Sequence, residues 1–252
     1  MNLLVTDVGN SDTVFGIWHS GDESPLVYRL ETASLINDPS LLSQFLQKGF
    51  GGFRPPERVV VSSVVPAATQ QVTKALAQWS KQDIKVLEKS QFEKLPLVIL
   101  RPDEIGTDLV ANALAAHNLS KGASIVVDFG TALSFTTIDA TGTILGVSIA
   151  PGLRTALQAL TTHTAQLRTV PLQMPESALG KSTEQAIQTG ILYGYDGLVR
   201  GIVSAQEKEL GLDLFLIATG GLSKMIHTLE DRVNLYAPHL TLEGLKIAAQ
   251  YL

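Results

Sequence analysis

Two short segments of this 252-residue chain end an apolar run with an acidic residue and a glycine: Leu3-Leu4-Val5-Thr6-Asp7-Val8-Gly9 and Ser124-Ile125-Val126-Val127-Asp128-Phe129-Gly130. A glycine just past a strand lets a tight turn approach a phosphate closely. No Cβ intervenes, and the turn's backbone N–H groups can face the anion. The carboxylate two positions earlier can hold a hard cation, directly or through water, that screens phosphate charge. Asn10, Ser11 and Thr131 add side-chain hydrogen bonds in the two turns. One Asp-x-Gly alone reads as an ordinary β-turn, since both residues favour turns. Two copies, each after a buried strand, read as phosphate binding.

Two further clusters carry chemistry. Thr219-Gly220-Gly221 follows the apolar run Leu214–Ala218 and precedes a segment read as a helix from Ser223, an arrangement in which a nucleotide can pack against backbone. Taken alone it is a strand-to-helix turn; beside the two hairpins, Gly220 and Gly221 become candidate adenosine contacts. Asp108, in Gly106-Thr107-Asp108, opens an Ala-rich helix whose N-terminus favours an ionised carboxylate, which makes it the candidate general base. Spacing alone favours a helix cap at Thr107 and Asp108 instead. Other chemistries fail. Gly180-Lys181-Ser182 lacks the leading strand and first glycine of a Walker A loop. Gly146-Val147-Ser148-Ile149-Ala150 lacks the second glycine of a nucleophile elbow. His19, His117, His163, His227 and His239 show no metal-ligand pairing.

The elements that must position these residues alternate in type. Segments 2–8 and 11–18 read as a β-hairpin, and 26–30 as a third strand of an opening meander. A helix is expected over 41–50, a Gly51-Gly52 and Pro55-Pro56 break, a strand at Val59-Val60-Val61, and a helix opened by Pro66 and running to Trp79. A strand at 84–87 and a helix at 106–119 complete the first half. The layout then restarts. With Asp7 placed over Asp128, Leu4, Val5, Gly9 and Asn10 fall on Ile125, Val126, Gly130 and Thr131, 121 positions on. The turns His19-Ser20-Gly21 and Asp139-Ala140-Thr141-Gly142 follow in their respective copies. Helices at 153–160, 183–210 and 241–252 follow. Duplication is therefore expected: α/β, two lobes with a cleft between them, 1–121 and 122–252, divided near Ser120-Lys121-Gly122. Gly190, Gly194, Gly197 and Gly201 recur at helical spacing and would let another helix approach closely, within the chain or between subunits.

Composition bounds the partners. With 45% hydrophobic residues and a net charge of −5, and no Lys/Arg run, the chain has a core but no electrostatic footprint for nucleic acid or an anionic membrane. Zero cysteines remove thiolate metal sites and cysteine nucleophiles. The N-terminus has no basic region or long apolar run, and no segment reaches the ~18 apolar residues of a membrane helix. The expectation is a cytoplasmic protein acting on small molecules, with no nucleic acid or membrane partner.

Duplicated Asp-x-Gly hairpins with a late Gly-Gly turn resemble the acetate and sugar kinase, chaperone ATPase and actin superfamily of duplicated ribonuclease H-like domains. In order and spacing, Asp7-Val8-Gly9-Asn10-Ser11, Ser62-Ser63-Val64-Val65-Pro66, Gly106-Thr107-Asp108, Asp128-Phe129-Gly130-Thr131-Ala132, Pro151-Gly152-Leu153 and Gly180-Lys181-Ser182-Thr183 resemble the motifs of type III pantothenate kinases. The resemblance implies phosphorylation of pantothenate by ATP to 4′-phosphopantothenate, the first step of coenzyme A synthesis. It implies Mg2+, a monovalent cation (K+ or NH4+) and a homodimer. By the same resemblance, Asp7, Val8, Gly9, Asn10, Ser11, Asp12, Thr13 and Val14 form the first phosphate loop, with Asp7 near the metal. Asp128 holds the monovalent cation, Thr131 contacts phosphate, and Asp108 is the base. Gly106, Thr107 and Leu109 face the acceptor, and Thr183 reaches substrate in the partner's site. The first lobe then carries the first phosphate loop and the acceptor-side base; the second carries the other loop, the adenosine turn and the dimer helices. Two positions depart from the family pattern: Leu109 stands for an Arg and Ile99 for a Tyr, both on the acceptor side. Arg101 or Arg154 is a candidate to restore the charge. Two alternatives follow from that departure, a non-catalytic accessory relative acting in transcription and a phosphotransferase with a different acceptor.

Overall fold

β-branched runs such as Val59-Val60-Val61 and Val126-Val127 favour strands, and alternation of buried faces then fixes which side each strand offers to helices. The computed structural model describes residues 2–38, 40–50, 55–162 and 168–252, with the backbone alone for 49 and 50. The expected Gly51-Gly52 break and His163 lie outside the described residues.

The chain divides into two compact units, Met1–Ala115 with Leu240–Leu252, and Ala116–His239. In the first unit β1 (Leu3–Val8), β2 (Asp12–Trp18) and β3 (Leu26–Glu31) form the antiparallel meander. After α1 (Thr32–Asn37) and α2 (Ser40–Phe50), β4 (Arg58–Ser63) returns parallel to β1. Next come α3 (Pro66–Ser80), β5 (Ile84–Val86) and the two-residue β6 (Val98–Ile99). The sheet order is β3-β2-β1-β4-β5. Leu4, Val8, Phe15, Val59 and Val61 pack on Ala68, Val72 and Leu76, the i, i+4 stripe of α3. Pro66 starts that helix at a position that needs no N–H.

The second unit repeats the plan. β7 (Ser124–Phe129), β8 (Ala132–Ile138) and β9 (Thr143–Pro151) form a meander. α5 (Leu153–Thr162) and α6 (Thr183–Leu210) precede β10 (Phe215–Thr219) and the short β11 (Leu235–Tyr236). Within the unit the strands run β11-β10-β7-β8-β9, and β10 lies parallel to β7 as β4 does to β1. Both units therefore have the same strand order by sequence rank, 3-2-1-4-5. Ile125, Val127, Phe129 and Phe135 pack on Ile187, Ile191, Tyr195 and Val199 of α6.

Three expectations change. The last helix, α7 (Leu240–Ala248), belongs with the first unit and not with the second lobe, because it packs on β1 and β4 and on α4 (Thr107–Leu119). Gly244 meets Ala111 so closely that a Cβ would lie 1.9 Å from the Ala111 carbonyl oxygen, and the Thr241 hydroxyl donates to Asn112 Oδ1 at 2.8 Å. The segment after Gly221 is not an α-helix. Ser223 and Met225 make i→i+3 turns, and a single 3-10 turn spans His227–Leu229. Arg200 of α6 holds that segment by pairing with Asp231 at 2.6 Å and donating to the Thr228 carbonyl. Finally, apart from the backbone of α6 itself, no described atom lies within 4 Å of a Cβ built on Gly190, Gly194, Gly197 or Gly201, so no other described element of the chain exploits that face. No described helix is long and apolar enough to cross a membrane.

Candidate active site

The first unit gathers its polar residues at the C-terminal ends of β1 and β4. Register sets Asp7 beside Ser62 and Val8 beside Ser63, and the Val64 N–H donates to the Val8 carbonyl at 3.1 Å. The hairpin closes through Gly9, whose N–H donates to the Asp12 carbonyl at 3.0 Å; a Cβ there would sit 3.1 Å from the same oxygen. Asn10 and Ser11 are exposed at the tip, Val14 is half-buried, and the Asp12 carboxylate pairs with Arg29 at 2.9 Å. Thr13 is buried, its hydroxyl 3.0 Å from that of Thr32.

α4 begins beside this edge. Thr107 Oγ1 lies 2.9 Å from Ser62 Oγ, which ties the start of α4 to β4, and the Ser63 hydroxyl accepts from Thr69 Oγ1 at 2.7 Å, which ties β4 to α3. Asp108 is half-buried, and its Oδ1 accepts the Leu109 N–H at 2.8 Å. That carboxylate folds back over Gly106, so a Cβ there would push Oδ1 out of its place. Burial raises the Asp108 pKa above its ordinary value, and the backbone hydrogen bonds oppose that shift without cancelling it. A carboxyl tuned upward is a better proton acceptor near neutral pH. Leu109 and Ile99 are half-buried. Arg101 is exposed and pairs with Glu104 at 3.1 Å.

The second unit builds a counterpart at the ends of β7 and β10. Register sets Asp128 beside Thr219, as Asp7 sits beside Ser62. Gly220 has φ +89°, and a Cβ on it would lie 2.6 Å from Asp128 Oδ1 and 2.7 Å from the Phe129 carbonyl. Thr219-Gly220 is thus the structural equivalent of the Ser62-Ser63 strand end. Gly130 donates to the Ala132 carbonyl at 3.1 Å, and Gly152 donates to Thr131 at 3.0 Å. The second hairpin is one residue tighter, since Asp7 faces Val14 while Asp128 faces Ser134. Thr131 is exposed at its tip. Arg154 lines a pocket of about 520 Å³ with Leu157, Leu172, Leu222 and Met225. Thr183 is exposed in the first turn of α6, behind the Ser182 cap, which accepts the Gln185 N–H at 3.2 Å. It shares in none of the hydrogen bonds that knit the β7–β10 cluster. Gly180-Lys181-Ser182-Thr183 is therefore a helix start, as the failure of the Walker pattern anticipates.

Asp7 and Asp128 are half-buried carboxylates at equivalent strand ends, each beside a turn. A divalent ion that keeps several waters and takes one carboxylate plus substrate phosphates fits either strand end taken by itself. Among the described residues, no three His, Asp or Glu side chains form a metal cluster. Two residues that sequence reasoning missed are Thr32 and Thr155. Each donates its hydroxyl at 2.7 Å to a hairpin carbonyl, Gly9 and Thr131 respectively. Neither falls in a periodic pattern or motif, so no sequence signal marks them.

Paired α/β units of strand order 3-2-1-4-5, each with an Asp-x-Gly hairpin between its first two strands, define the duplicated ribonuclease H-like fold of actin-like ATPases and sugar kinases. Solved structures agree at the level of fold. A Campylobacter jejuni protein described as a Baf family transcriptional activator superposes with a TM-score of 0.62 at 17% identity, covering 98% of each chain. The (R)-2-hydroxyglutaryl-CoA dehydratase component A of Acidaminococcus fermentans gives 0.52 at 13% identity, covering 100% of this chain and 97% of that one. Sequence comparison narrows the class. The family model described as type III pantothenate kinase matches residues 3–205. The protein of that name from Treponema pallidum strain Nichols is 44% identical over 96% of this chain and 92% of its own length. That from Parafrankia sp. strain EAN1pec is 39% identical over 97% and 96%. The chain belongs to the type III pantothenate kinase family.

Proposed function

We propose that the chain transfers the γ-phosphoryl group of ATP to the primary hydroxyl of pantothenate, with Asp108 as the general base. The observation that carries this reading is the half-buried, upward-tuned Asp108 carboxyl, which follows Thr107 and its tie to Ser62, next to the Asp7 hairpin. Phosphoryl transfer asks little covalent chemistry of the protein; it asks for positioning, charge neutralisation and one placed base. The Asp7–Val14 hairpin and Thr131 hold phosphates through turn N–H groups and hydroxyls, and Gly220 and Gly221 lie against the adenosine. Asp108 accepts the hydroxyl proton as the oxygen attacks phosphorus and ADP leaves. Gly106, Thr107 and Leu109 surround that oxygen's approach. Asp7 would hold Mg2+ and Asp128 a monovalent cation, K+ or NH4+. When bound, these ions neutralise phosphate charge. Two cations are available for the pantothenate carboxylate. Arg154 lines a pocket and has no ion-pair partner among the described residues, and Arg101 sits in a solvent-exposed pair that costs little to break. Thr183, exposed at the start of α6, suits a contact across a homodimer.

The test is ADP release with pantothenate, ATP, magnesium and potassium, run beside Asp108→Asn and a potassium-free control. Pantothenate-dependent turnover is expected in the wild type, with a loss on the order of 10²- to 10⁴-fold in Asp108→Asn and ATP binding retained. Absent turnover with intact ATP binding would replace this acceptor with another.

A further inference from the structure

The duplication extends past the hairpins to a matched pair of braces. In the first unit the chain leaves β3 and enters α1 at Thr32, whose N–H donates to the Ser11 carbonyl at 2.9 Å and whose hydroxyl donates to the Gly9 carbonyl at 2.7 Å. That hydroxyl has one proton, so the Thr13 hydroxyl 3.0 Å away donates to it and extends the chain of hydrogen bonds. In the second unit the chain leaves β9 and enters α5, where Thr155 donates to the Thr131 carbonyl at 2.7 Å and Gly152 N–H donates to the same oxygen at 3.0 Å. Both braces come from the first turn of the helix after the third strand. Each grips the tip of the Asp-x-Gly hairpin of its own unit.

Peptide planarity gives the pins a consequence. A carbonyl and the N–H of the next residue point in opposite directions from one rigid plane. Pinning the Gly9 carbonyl aims the Asn10 N–H away from Thr32, and pinning the Thr131 carbonyl aims the Ala132 N–H away from Thr155. Without the pins, short turns of this kind can flip a peptide and withdraw the donor. We propose that Thr32 and Thr155 are positioning residues that fix the direction of the hairpin N–H groups, so that the phosphate tail of a nucleoside triphosphate meets donors already aligned. This rests on the phosphate-hairpin reading above; the two threonines touch no substrate themselves.

Thr155 gives the cleaner test because it is exposed at its hydroxyl contact, whereas Thr32 is buried and its loss also strands Thr13. Thr155→Val removes the hydroxyl at nearly constant shape, and Thr155→Ser keeps it. Steady-state ADP release with ATP varied at saturating pantothenate is expected to show the ATP KM of Thr155→Val raised about fivefold, with Thr155→Ser near wild type. The pantothenate KM and Tm should stay unchanged. For Thr32 the expected pattern is a raised ATP KM in Thr32→Val that Thr32→Ser repairs. An unchanged ATP KM and kcat in Thr155→Val overturns the brace, and so does a lowered Tm without a KM effect, which assigns Thr155 to folding alone. A direct titration of the wild type with ATP separates the two levels. Absence of binding overturns the hairpin reading itself, while binding that Thr155→Val leaves untouched overturns only the brace.

Discussion

Asp108 carries two opposed demands in one side chain. Burial makes its carboxyl harder to ionise, while the Leu109 N–H at 2.8 Å makes it easier, and burial dominates. Because the folded-state pKa lies above the ordinary 3.8, the folded protein binds this proton more tightly than the unfolded chain does. The associated stability is present below the unfolded pKa and lost as pH rises through the folded one. At neutral pH the wild type therefore bears the cost of a half-buried charge, and Asp108→Asn does not. Urea denaturation should show the stability of Asp108→Asn relative to wild type improving from about pH 4 to about pH 7.5, whatever the variant's activity. An equal difference at both pH values would contradict the raised pKa. Activity should follow the same group. With Asp108 in its proposed role as base, the acid limb of the kcat profile is expected above the ordinary carboxylate range, because a base must be ionised to accept the hydroxyl proton.

Among the elements, the strand-end turns set the site, and two neighbouring glycines there differ sharply. Gly220 combines φ +89° with a Cβ position 2.6 Å from Asp128 Oδ1, whereas a Cβ on Gly221 would meet nothing within 4 Å. Gly220→Ala is expected to cost about 1–3 kcal/mol through backbone strain and to displace the Asp128 carboxylate, weakening ATP binding. Gly221→Ala should stay within about 0.5 kcal/mol of wild type. Thermal unfolding of the pair and ATP titration of Gly220→Ala check this, and equal losses of stability at both positions would refute the assignment. The sequence alone showed that both glycines belong to a turn after a strand; only the fold shows which one the Asp128 carboxylate needs. α6 was legible from end to end, Thr183 to Leu210, because a Ser182 cap, a long apolar period and Gly211 in the left-handed C-cap agree. The segment after Gly221 was not legible, since its i→i+3 turns depend on Arg200 of another element. Thr32 and Thr155 were invisible for a related reason. A single hydroxyl that bonds a carbonyl 23 or 24 residues away leaves no periodicity in its own neighbourhood.

For the whole molecule, the repeat was visible as two hairpins and a half-length offset, yet the chain does not divide into two contiguous halves. Residues 240–252 return to the first unit, and the boundary falls inside α4, after Ala115. Local pattern could show that a helix lies in 241–252, of which the structure forms Leu240–Ala248, but not which sheet covers its apolar face, because Leu240, Leu242 and Leu245 suit either. The close approach decides it. Gly244 lets α7 sit on the Ala111 carbonyl, one turn along α4 from Asp108, so the last element of the chain supports the helix that carries the proposed base. Replacing Gly244 by Val drives a Cβ into the Ala111 carbonyl, and overpacking of this kind typically costs about 1–3 kcal/mol. The expected outcome is regional. Amide hydrogen exchange should accelerate in α4, β1 and β4, while α6 and β7 keep their protection, because local opening follows the unit whose packing is damaged. Equal acceleration in both units would mean that they unfold as one cooperative body, and unchanged exchange in α4 would mean that α7 does not support it.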